Sequence, residues 1–128
     1  MALTLTGEVT LSLRVSDWKA SLQWYTGRLG FELLYAAEEI GWCEMRTASG
    51  DVAIGLSQVD SVSPNDSCVP TFTVKDVDAD RARLEADGVR FEGETMTIEG
   101  LVKLATFVDP DGNPFMLAQP LSEGPPSC

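Results

Sequence analysis

The sequence predicts an α+β fold in which two βαβββ modules form a mixed sheet that curls around a cleft, with the helices outside. An internal repeat carries this prediction. Asp17 opens a helical stretch that Gly30 closes, and Asp76, 59 residues after Asp17, opens another that Gly88 closes. Each copy also begins with an alternating segment and ends with a hairpin sequence. Self-similarity at a fixed period indicates two copies of one small unit.

The first copy begins with strand, helix and strand. Residues 9–15 alternate between apolar and polar side chains, which is typical of a half-buried strand. Asp17 is suited to cap the helix that follows, because its carboxylate can accept hydrogen bonds from the first turn. Gly30 is suited to end that helix, because glycine adopts the left-handed conformation common at helix ends. Residues 31–35 are expected to form the second strand.

A hairpin completes the first copy. Residues 40–47 and 52–57 are predicted to pair around a turn at Ser49-Gly50. A two-residue turn sets Glu44 opposite Gly55, and alternate residues then share their face. The side chains expected on this open face, with those of the first strand, are Thr10, Ser12, Arg14, Trp42, Glu44, Arg46, Ala53, Gly55 and Ser57.

The second copy repeats strand, helix and short strand over residues 69–92, and its hairpin pairs 102–109 with 115–119. If 110–113 form the loop, Phe107 lies opposite Met116. The side chains then expected to face the cleft are Val69, Thr71, Thr73, Lys103, Ala105, Phe107, Met116 and Ala118. Those expected to pack on the helix are Leu104, Thr106, Val108, Phe115 and Leu117.

We expect a single domain over residues 1–121. The first module spans about 7–57, a polar and turn-rich linker spans 58–68, and the second module spans about 69–120. The Pro- and Gly-containing tail, 122–128, is expected to be flexible.

Composition excludes several classes of function. The 128 residues include 20 acidic and 9 basic side chains, so the net charge of −11 opposes binding to nucleic acid or to an anionic membrane surface. No histidine is present, which rules out a Ser-His-Asp triad and any His-containing metal site. No apolar run is long enough to span a membrane, and the N-terminus lacks the pattern of a signal peptide. We therefore expect a cytoplasmic protein whose three cysteines are reduced and structural.

Local motifs add a resemblance to a known family. The segment 13–17, Leu-Arg-Val-Ser-Asp, is followed by Trp24-Tyr25 and by 29–31, Leu-Gly-Phe. Residues 107–114, Phe-Val-Asp-Pro-Asp-Gly-Asn-Pro, belong to the last hairpin. In this order the motifs resemble the vicinal oxygen chelate superfamily, which includes glyoxalase I, extradiol dioxygenases and bleomycin-resistance proteins. The resemblance covers about residues 7–120 and implies the paired-module fold.

The resemblance also implies where a metal would be held. Enzymes of this superfamily usually bind a divalent metal with His and Glu ligands on four strands. The matching positions here are Thr10, Gly55, Val69 and Met116. None of these side chains is a carboxylate, imidazole or thiolate, the groups that hold such cations. The family's metal site is therefore expected to be absent, and no cofactor is predicted.

The predicted open face has the composition of a small-molecule site: aromatic rings, small residues, hydroxyls and a few charges. The metal-free proteins that this chain resembles sequester antibiotics, usually as dimers. We therefore expect a metal-independent homodimer that binds an aromatic or cationic small molecule. The residues expected to contact this ligand are Thr10, Ser12, Arg14, Trp42, Glu44, Arg46, Gly55, Ser57, Thr71, Lys103, Phe107 and Met116.

Other interpretations remain open at this level. The fold is also compatible with a lyase or isomerase that works without the four-ligand metal site and uses Glu44 as general base. It is compatible with a non-catalytic assembly protein. Trp42 can alternatively fill an empty cavity, and Arg14 or Lys103 can pair with Glu44.

Overall fold

The computed structural model describes residues 5–63 and 68–121, which form two helices and eight strands with the predicted α+β character. The chain divides into two compact units, one that ends at Ser63 and one that follows it. Each unit carries one helix and an open, mixed sheet of four strands, as expected for a βαβββ module. Neither described helix has the length and apolar character needed to cross a membrane. The predicted tail and residues 64–67 of the predicted linker lie outside the described residues.

Unit one contains four strands, one α-helix and a short 3₁₀ helix. Its elements are β1 (Val9–Val15), α1 (Trp18–Arg28), β2 (Glu32–Ala37), the 3₁₀ helix (Glu38–Ile40), β3 (Trp42–Arg46) and β4 (Val52–Gln58). The sheet order is β1-β4-β3-β2, in which β1 is parallel to β4 and the other pairs are antiparallel.

Unit two has the same plan. Its elements are β5 (Thr71–Thr73), α2 (Val77–Ala86), β6 (Arg90–Ile98), β7 (Val102–Val108) and β8 (Pro114–Pro120). The sheet order is β5-β8-β7-β6, and β5 is parallel to β8.

Both helices begin with the same pair of side-chain contacts. Asp17 and Asp76 each accept a hydrogen bond from the backbone N–H three residues later, at 3.2 and 3.1 Å. Gln58 and Gln119 each accept one from the N–H of the first helical residue, at 3.0 and 2.9 Å. These bonds satisfy N–H groups that have no partner within a helix. Gln58, which the sequence prediction places in the linker, is thus the last residue of β4 and part of the unit.

The core of unit one lies between α1 and one face of its sheet. Its fully buried side chains are Leu13, Val15, Tyr25, Cys43, Met45, Ile54 and Leu56. Glu44 lies opposite Gly55, so the predicted register of the first hairpin is confirmed. The Cys43 thiol faces this core, and its burial raises its pKa, so the neutral thiol is favoured. The two cysteines within the described residues, Cys43 and Cys68, are both free; Cys128 lies outside them.

The predicted register of the second hairpin is wrong by one residue. Phe107 lies opposite Phe115, and Thr106 lies opposite Met116. The loop has five residues, because Asp109 closes it instead of extending the strand. Its buried carboxylate accepts hydrogen bonds from the N–H of Asp111 at 2.9 Å, and from the N–H and Nδ2 of Asn113 at 2.7 and 2.9 Å.

This shift exchanges the two faces of β7, whereas the side chains of β8 lie on the faces predicted for them. Phe107 is 2% exposed and stacks on Phe115 with ring centroids 5.3 Å apart, so it belongs to the core of unit two. Lys103 lies on the same side, where its ammonium donates to Asp78 of α2 at 2.7 Å. Ala105 and Leu117 are buried there as well. Leu104 and Thr106 take their place on the open face, beside Met116 and Ala118, which lie there as predicted.

Candidate functional site

The open face of unit one is the sheet face turned away from α1, and it brings together eight residues that the sequence predicts for the site. Strand pairing arranges this face in three rows from β1 to β2. The rows are Thr10, Ala53, Arg46 and Glu32; then Ser12, Gly55, Glu44 and Tyr35; then Arg14, Ser57, Trp42 and Ala37.

A β-bulge in β2 adds the side chain of Tyr35 to this face. Leu33 pairs with Met45 and Tyr35 pairs with Glu44, so Leu34 is an extra residue in β2. An extra residue reverses the alternation of the side chains that follow it. Tyr35 therefore lies on the open face, although regular alternation from Leu33 would put it on the helix side. The run 33–37, Leu-Leu-Tyr-Ala-Ala, has no alternation, so no sequence signal marks this bulge.

The six-membered ring of the Trp42 indole lies against Gly55. A Cβ atom built on Gly55 would come within 2.0 Å of the ring atom Cη2 and 2.5 Å of Cζ2. The indole Nε1 donates a hydrogen bond to the Tyr35 hydroxyl at 2.9 Å. Trp42 is half-buried in this position. The ring is therefore fixed by a steric contact on one side and by a hydrogen bond at its edge.

A pocket of about 130 Å³ opens on the same face, around the row of Thr10, Ala53 and Arg46 that adjoins the row of Gly55. It lies at the end of the sheet where β1 begins and where β3 turns into β4. Its walls combine apolar side chains, three carboxylates and one guanidinium. The lining residues are Glu8, Val9, Thr10, Leu34, Glu44, Arg46, Gly50, Asp51, Val52 and Ala53. The sequence prediction includes Thr10, Glu44 and Arg46 from this set. It omits Glu8 and Asp51, which lie just outside the strand segments on which that prediction rests.

The charges of the open face are not joined in a single network. Among the described residues, Glu44 and Arg46 take part in no ion pair within 4.0 Å. Lys103 pairs with Asp78 on the helix side of unit two, so it does not pair with Glu44. The hydrogen bond and the charge of Asp78 raise the pKa of the Lys103 ammonium.

The open face of unit two, the sheet face turned away from α2, is less polar. Its paired rows are Thr71, Met116, Thr106 and Glu92, then Thr73, Ala118, Leu104 and Met96. Thr71 and Met116 lie on it as predicted. Phe107 and Lys103 are also predicted for this face, but the register of the second hairpin places both on the helix side. Val69 precedes the strand and is 43% exposed.

The divalent metal of the superfamily enzymes does not fit these residues. Thr10, Gly55, Val69 and Met116 offer no carboxylate or imidazole. Gly55 is also covered by Trp42, so a carboxylate side chain cannot occupy that place while the ring remains there. Within residues 5–63 and 68–121, no group of three or more His, Cys, Asp or Glu side chains is arranged to hold a metal ion.

The protein has two βαβββ units, each with one open sheet face, and it therefore belongs to the class of α+β proteins built from paired modules. The chain belongs to the Glyoxalase/Bleomycin resistance protein/Dioxygenase superfamily, whose family model matches residues 7–117. No curated protein matches the sequence.

Solved structures with the same fold include two from Streptomyces sp. CB03234. TnmS3, an antibiotic binding protein, is 29% identical with a TM-score of 0.75, covering 93% of this chain and 99% of that chain. A glyoxalase/bleomycin resistance protein is 29% identical with a TM-score of 0.69, covering 88% and 100%. The genomically encoded fosfomycin resistance protein FosX from Listeria monocytogenes is 20% identical with a TM-score of 0.75, covering 91% and 94%, and shares the fold.

Proposed function

We propose that this protein binds an aromatic or cationic small molecule on the open face of unit one, without a metal, and sequesters it unchanged. The observation that carries the proposal is the Trp42 ring fixed over Gly55. The superfamily position that would supply a metal-binding carboxylate is there replaced by an aromatic surface. An antibiotic is the ligand class we favour, because TnmS3, which is similar along nearly its whole length, is an antibiotic binding protein.

The chemistry of the face supports a small-molecule ligand. Ligand sites combine apolar walls with a few convergent polar groups. Here Trp42, Leu34 and Val9 supply apolar surface, while Thr10 and Glu44 supply polar atoms. A planar ligand gains dispersion energy by stacking on an indole ring. A cationic ligand gains from the protein's net charge of −11.

A thermal-shift screen tests this proposal. The screen measures the change in Tm caused by bleomycin, mitomycin, phenazines and DNA intercalators, and compares it with the change caused by Ni²⁺, Zn²⁺, Mn²⁺ and Fe²⁺. A drug at 100 times its dissociation constant stabilises a protein by about 2.7 kcal/mol, which is about 10 °C for a domain of this size. We expect such a shift for a planar drug and none for the metals.

Two variants make the screen specific. Trp42→Ala should abolish the drug-induced shift, measured against that variant's own Tm. Trp24→Ala is the matched control, because it removes an indole from α1 of the same unit. Stabilisation by a metal would contradict the metal-independent reading, and an unchanged drug shift in Trp42→Ala would place the site elsewhere.

Recovery of the drug distinguishes sequestration from catalysis. After hours with excess protein, extraction and mass spectrometry should return the drug with its original mass and retention time. A converted product that disappears in Glu44→Gln would instead support an enzyme that uses Glu44 as base.

We also propose that the protein acts in the cytoplasm as a homodimer. The free thiols of Cys43 and Cys68 suit a reducing compartment. Strand β2 exposes Leu33, Leu34 and Tyr35 by 43–50%, and such apolar edge strands commonly pack against a partner. Sedimentation equilibrium should give twice the 13.8 kDa chain mass, and a monomer at all concentrations would exclude the dimer.

A further inference from the structure

We infer that the site on unit one has two parts and selects planar molecules that carry a protonated amine. The Trp42 ring is a stacking platform for the planar body, and the neighbouring pocket takes the ammonium group. This inference rests on the proposed function, since it names the class of ligand that the same site would bind.

The platform is held from two directions. Its six-membered ring lies against Gly55, which has no side chain to separate the ring from the sheet. Its edge is tied by the 2.9 Å hydrogen bond from Nε1 to the Tyr35 hydroxyl. An indole held in one orientation loses little conformational freedom when a ligand stacks on it, which favours binding. Tyr35 is thus a positioning residue, placed on this face by the bulge at Leu34.

The pocket favours a cation. Its charged lining consists of Glu8, Glu44 and Asp51 against Arg46, so negative charge exceeds positive by two. Glu44 is half-buried as a residue, and its carboxylate forms no ion pair among the described residues, which leaves it able to accept a charge-assisted hydrogen bond. Leu34 and Val9 give the pocket an apolar wall that suits the carbon chain of an alkylamine.

Glu44 connects the two parts. It lies next to Gly55 in the middle row of the face, and it also lines the pocket. The Trp42 ring lies over Gly55 in this same row, and directly paired residues of neighbouring strands are about 5 Å apart. The volume of about 130 Å³ is too small for a whole drug-sized molecule but admits an aminoalkyl group. The expected ligand therefore carries its amine on a short alkyl chain attached to the aromatic ring that stacks on Trp42.

Three phenazines of one ring system test the inference: phenazine, phenazine-1-carboxylic acid and a phenazine with an aminoethyl side chain. Titration calorimetry at pH 7 should rank the amine first, about fivefold tighter than phenazine, with the carboxylic acid weakest. Glu44→Gln should remove the advantage of the amine, so that the amine and phenazine bind this variant with about equal affinity. Glu99→Gln is the matched control, because it removes one exposed carboxylate from unit two, and it should preserve the ranking.

Tyr35→Phe tests the platform separately. Loss of its hydroxyl should weaken all three phenazines by a similar factor, about threefold to tenfold. It should also change the indole emission, and that change should be absent from Tyr35→Phe made in a Trp42→Phe background. A merely structural role for Tyr35 would leave both the affinity and the Trp42 emission unchanged.

The outcomes separate this inference from the proposed function. If all three phenazines bind equally and lose affinity in Trp42→Ala, the site binds planar molecules but the amine pocket is wrong. If the amine keeps its advantage in Glu44→Gln, the assignment of its partner is wrong. If no planar probe or drug binds at all, the proposed function itself fails.

Discussion

The two units of this protein share a scaffold but present different surfaces. In both, an aspartate caps the helix and a glutamine at the end of the last strand accepts a hydrogen bond from the first helical N–H. Three residues before each glutamine, Gly55 and Met116 lie at equivalent places opposite the first strand of their sheets. Gly55 supports an aromatic ring, whereas Met116 lies between two threonines.

This difference shows that the shared fold sets where side chains lie on each sheet, while the residue type at each position determines the chemistry of the surface. A glycine lets Trp42 lie on the sheet of unit one, and the bulge at Leu34 brings in the tyrosine that holds it. In unit two the corresponding strand, β6, also departs from regular pairing, between Glu92 and Met96. There, however, the Arg81 guanidinium of α2 donates to the Gly93 carbonyl at 2.8 Å and stabilises the irregular segment from the helix side.

The largest expected effect tests which face of unit two is the core. Phe107→Ala should lower the free energy of unfolding by about 3–5 kcal/mol, because it removes a buried ring stacked on Phe115. Thr106→Ala, one residue earlier on the open face, is the control and should cost less than about 1 kcal/mol. Urea denaturation measures both. A small loss of stability in Phe107→Ala would contradict the buried position of this ring and support the register that the sequence alone predicts.

The next effect compares how the two final hairpins are closed. Asp109→Ala leaves three donors of a buried turn without their acceptor and should cost about 2–4 kcal/mol. In unit one Thr47 closes the turn with fewer bonds. It donates to the Val52 carbonyl at 2.7 Å and accepts from the Ser49 N–H at 3.1 Å. Thr47→Ala should therefore cost about 1–2 kcal/mol, and equal losses in urea denaturation would show that the turns are equivalent.

A third prediction concerns the contact that distinguishes unit one. Gly55→Ala should cost about 1–3 kcal/mol, because the new methyl group would overlap the Trp42 ring and force it outward. The same change in a Trp42→Ala background should cost nothing, since the obstruction is gone. Urea denaturation of the four proteins in this cycle gives the coupling energy. A cost that persists without the ring would mean that Gly55 is required for another reason.

The elements that the sequence predicts well depend on local chemistry. Asp17 and Asp76 mark helix starts because a cap acts on its own first turn, and the first hairpin follows from its short turn. The predicted register of the second hairpin is wrong because the prediction treats Asp109 as a strand residue. Its carboxylate instead accepts hydrogen bonds from the turn. This error places Phe107 and Lys103 on the open face, although both lie on the helix side of the sheet.

The prediction omits three residues of the site for a different reason. Tyr35 reaches the open face through a bulge inside an uninterrupted apolar run, where no alternation reveals the extra residue. Glu8 and Asp51 enter the pocket from positions adjacent to strands, and their approach depends on how β1 and β4 pair. Long-range pairing of this kind cannot be obtained from local spacing.

A fourth, smaller effect tests what the units share. Gln58→Ala and Gln119→Ala should each cost about 1 kcal/mol, because each removes one hydrogen bond to a helix N-terminus. Chemical denaturation of the two single variants should give equal losses. A large difference between them would indicate that the glutamines have separate roles in the two units.

The smallest effect concerns a charge pair found in unit two. Asp78 raises the pKa of Lys103, so the folded protein binds this proton more tightly than the unfolded chain does. The associated stability is present below the ordinary lysine pKa of 10.5 and is lost as the pH rises through the higher folded value. An NMR titration of the Lys103 Cε signal should show a midpoint above 10.5 that falls in Asp78→Asn. An unchanged midpoint would mean that the pair does not persist in solution.

The most direct test of metal-independent binding at Trp42 is the NMR spectrum of the indole Nε1–H groups. The three tryptophans give three signals, and Trp42→Phe identifies the one that belongs to Trp42. On addition of the aminoethyl phenazine, the Trp42 signal should move while those of Trp18 and Trp24 stay in place. Added Mn²⁺ should broaden none of them selectively. A Trp42 signal that ignores every planar ligand, or that Mn²⁺ broadens before the others, would contradict the account.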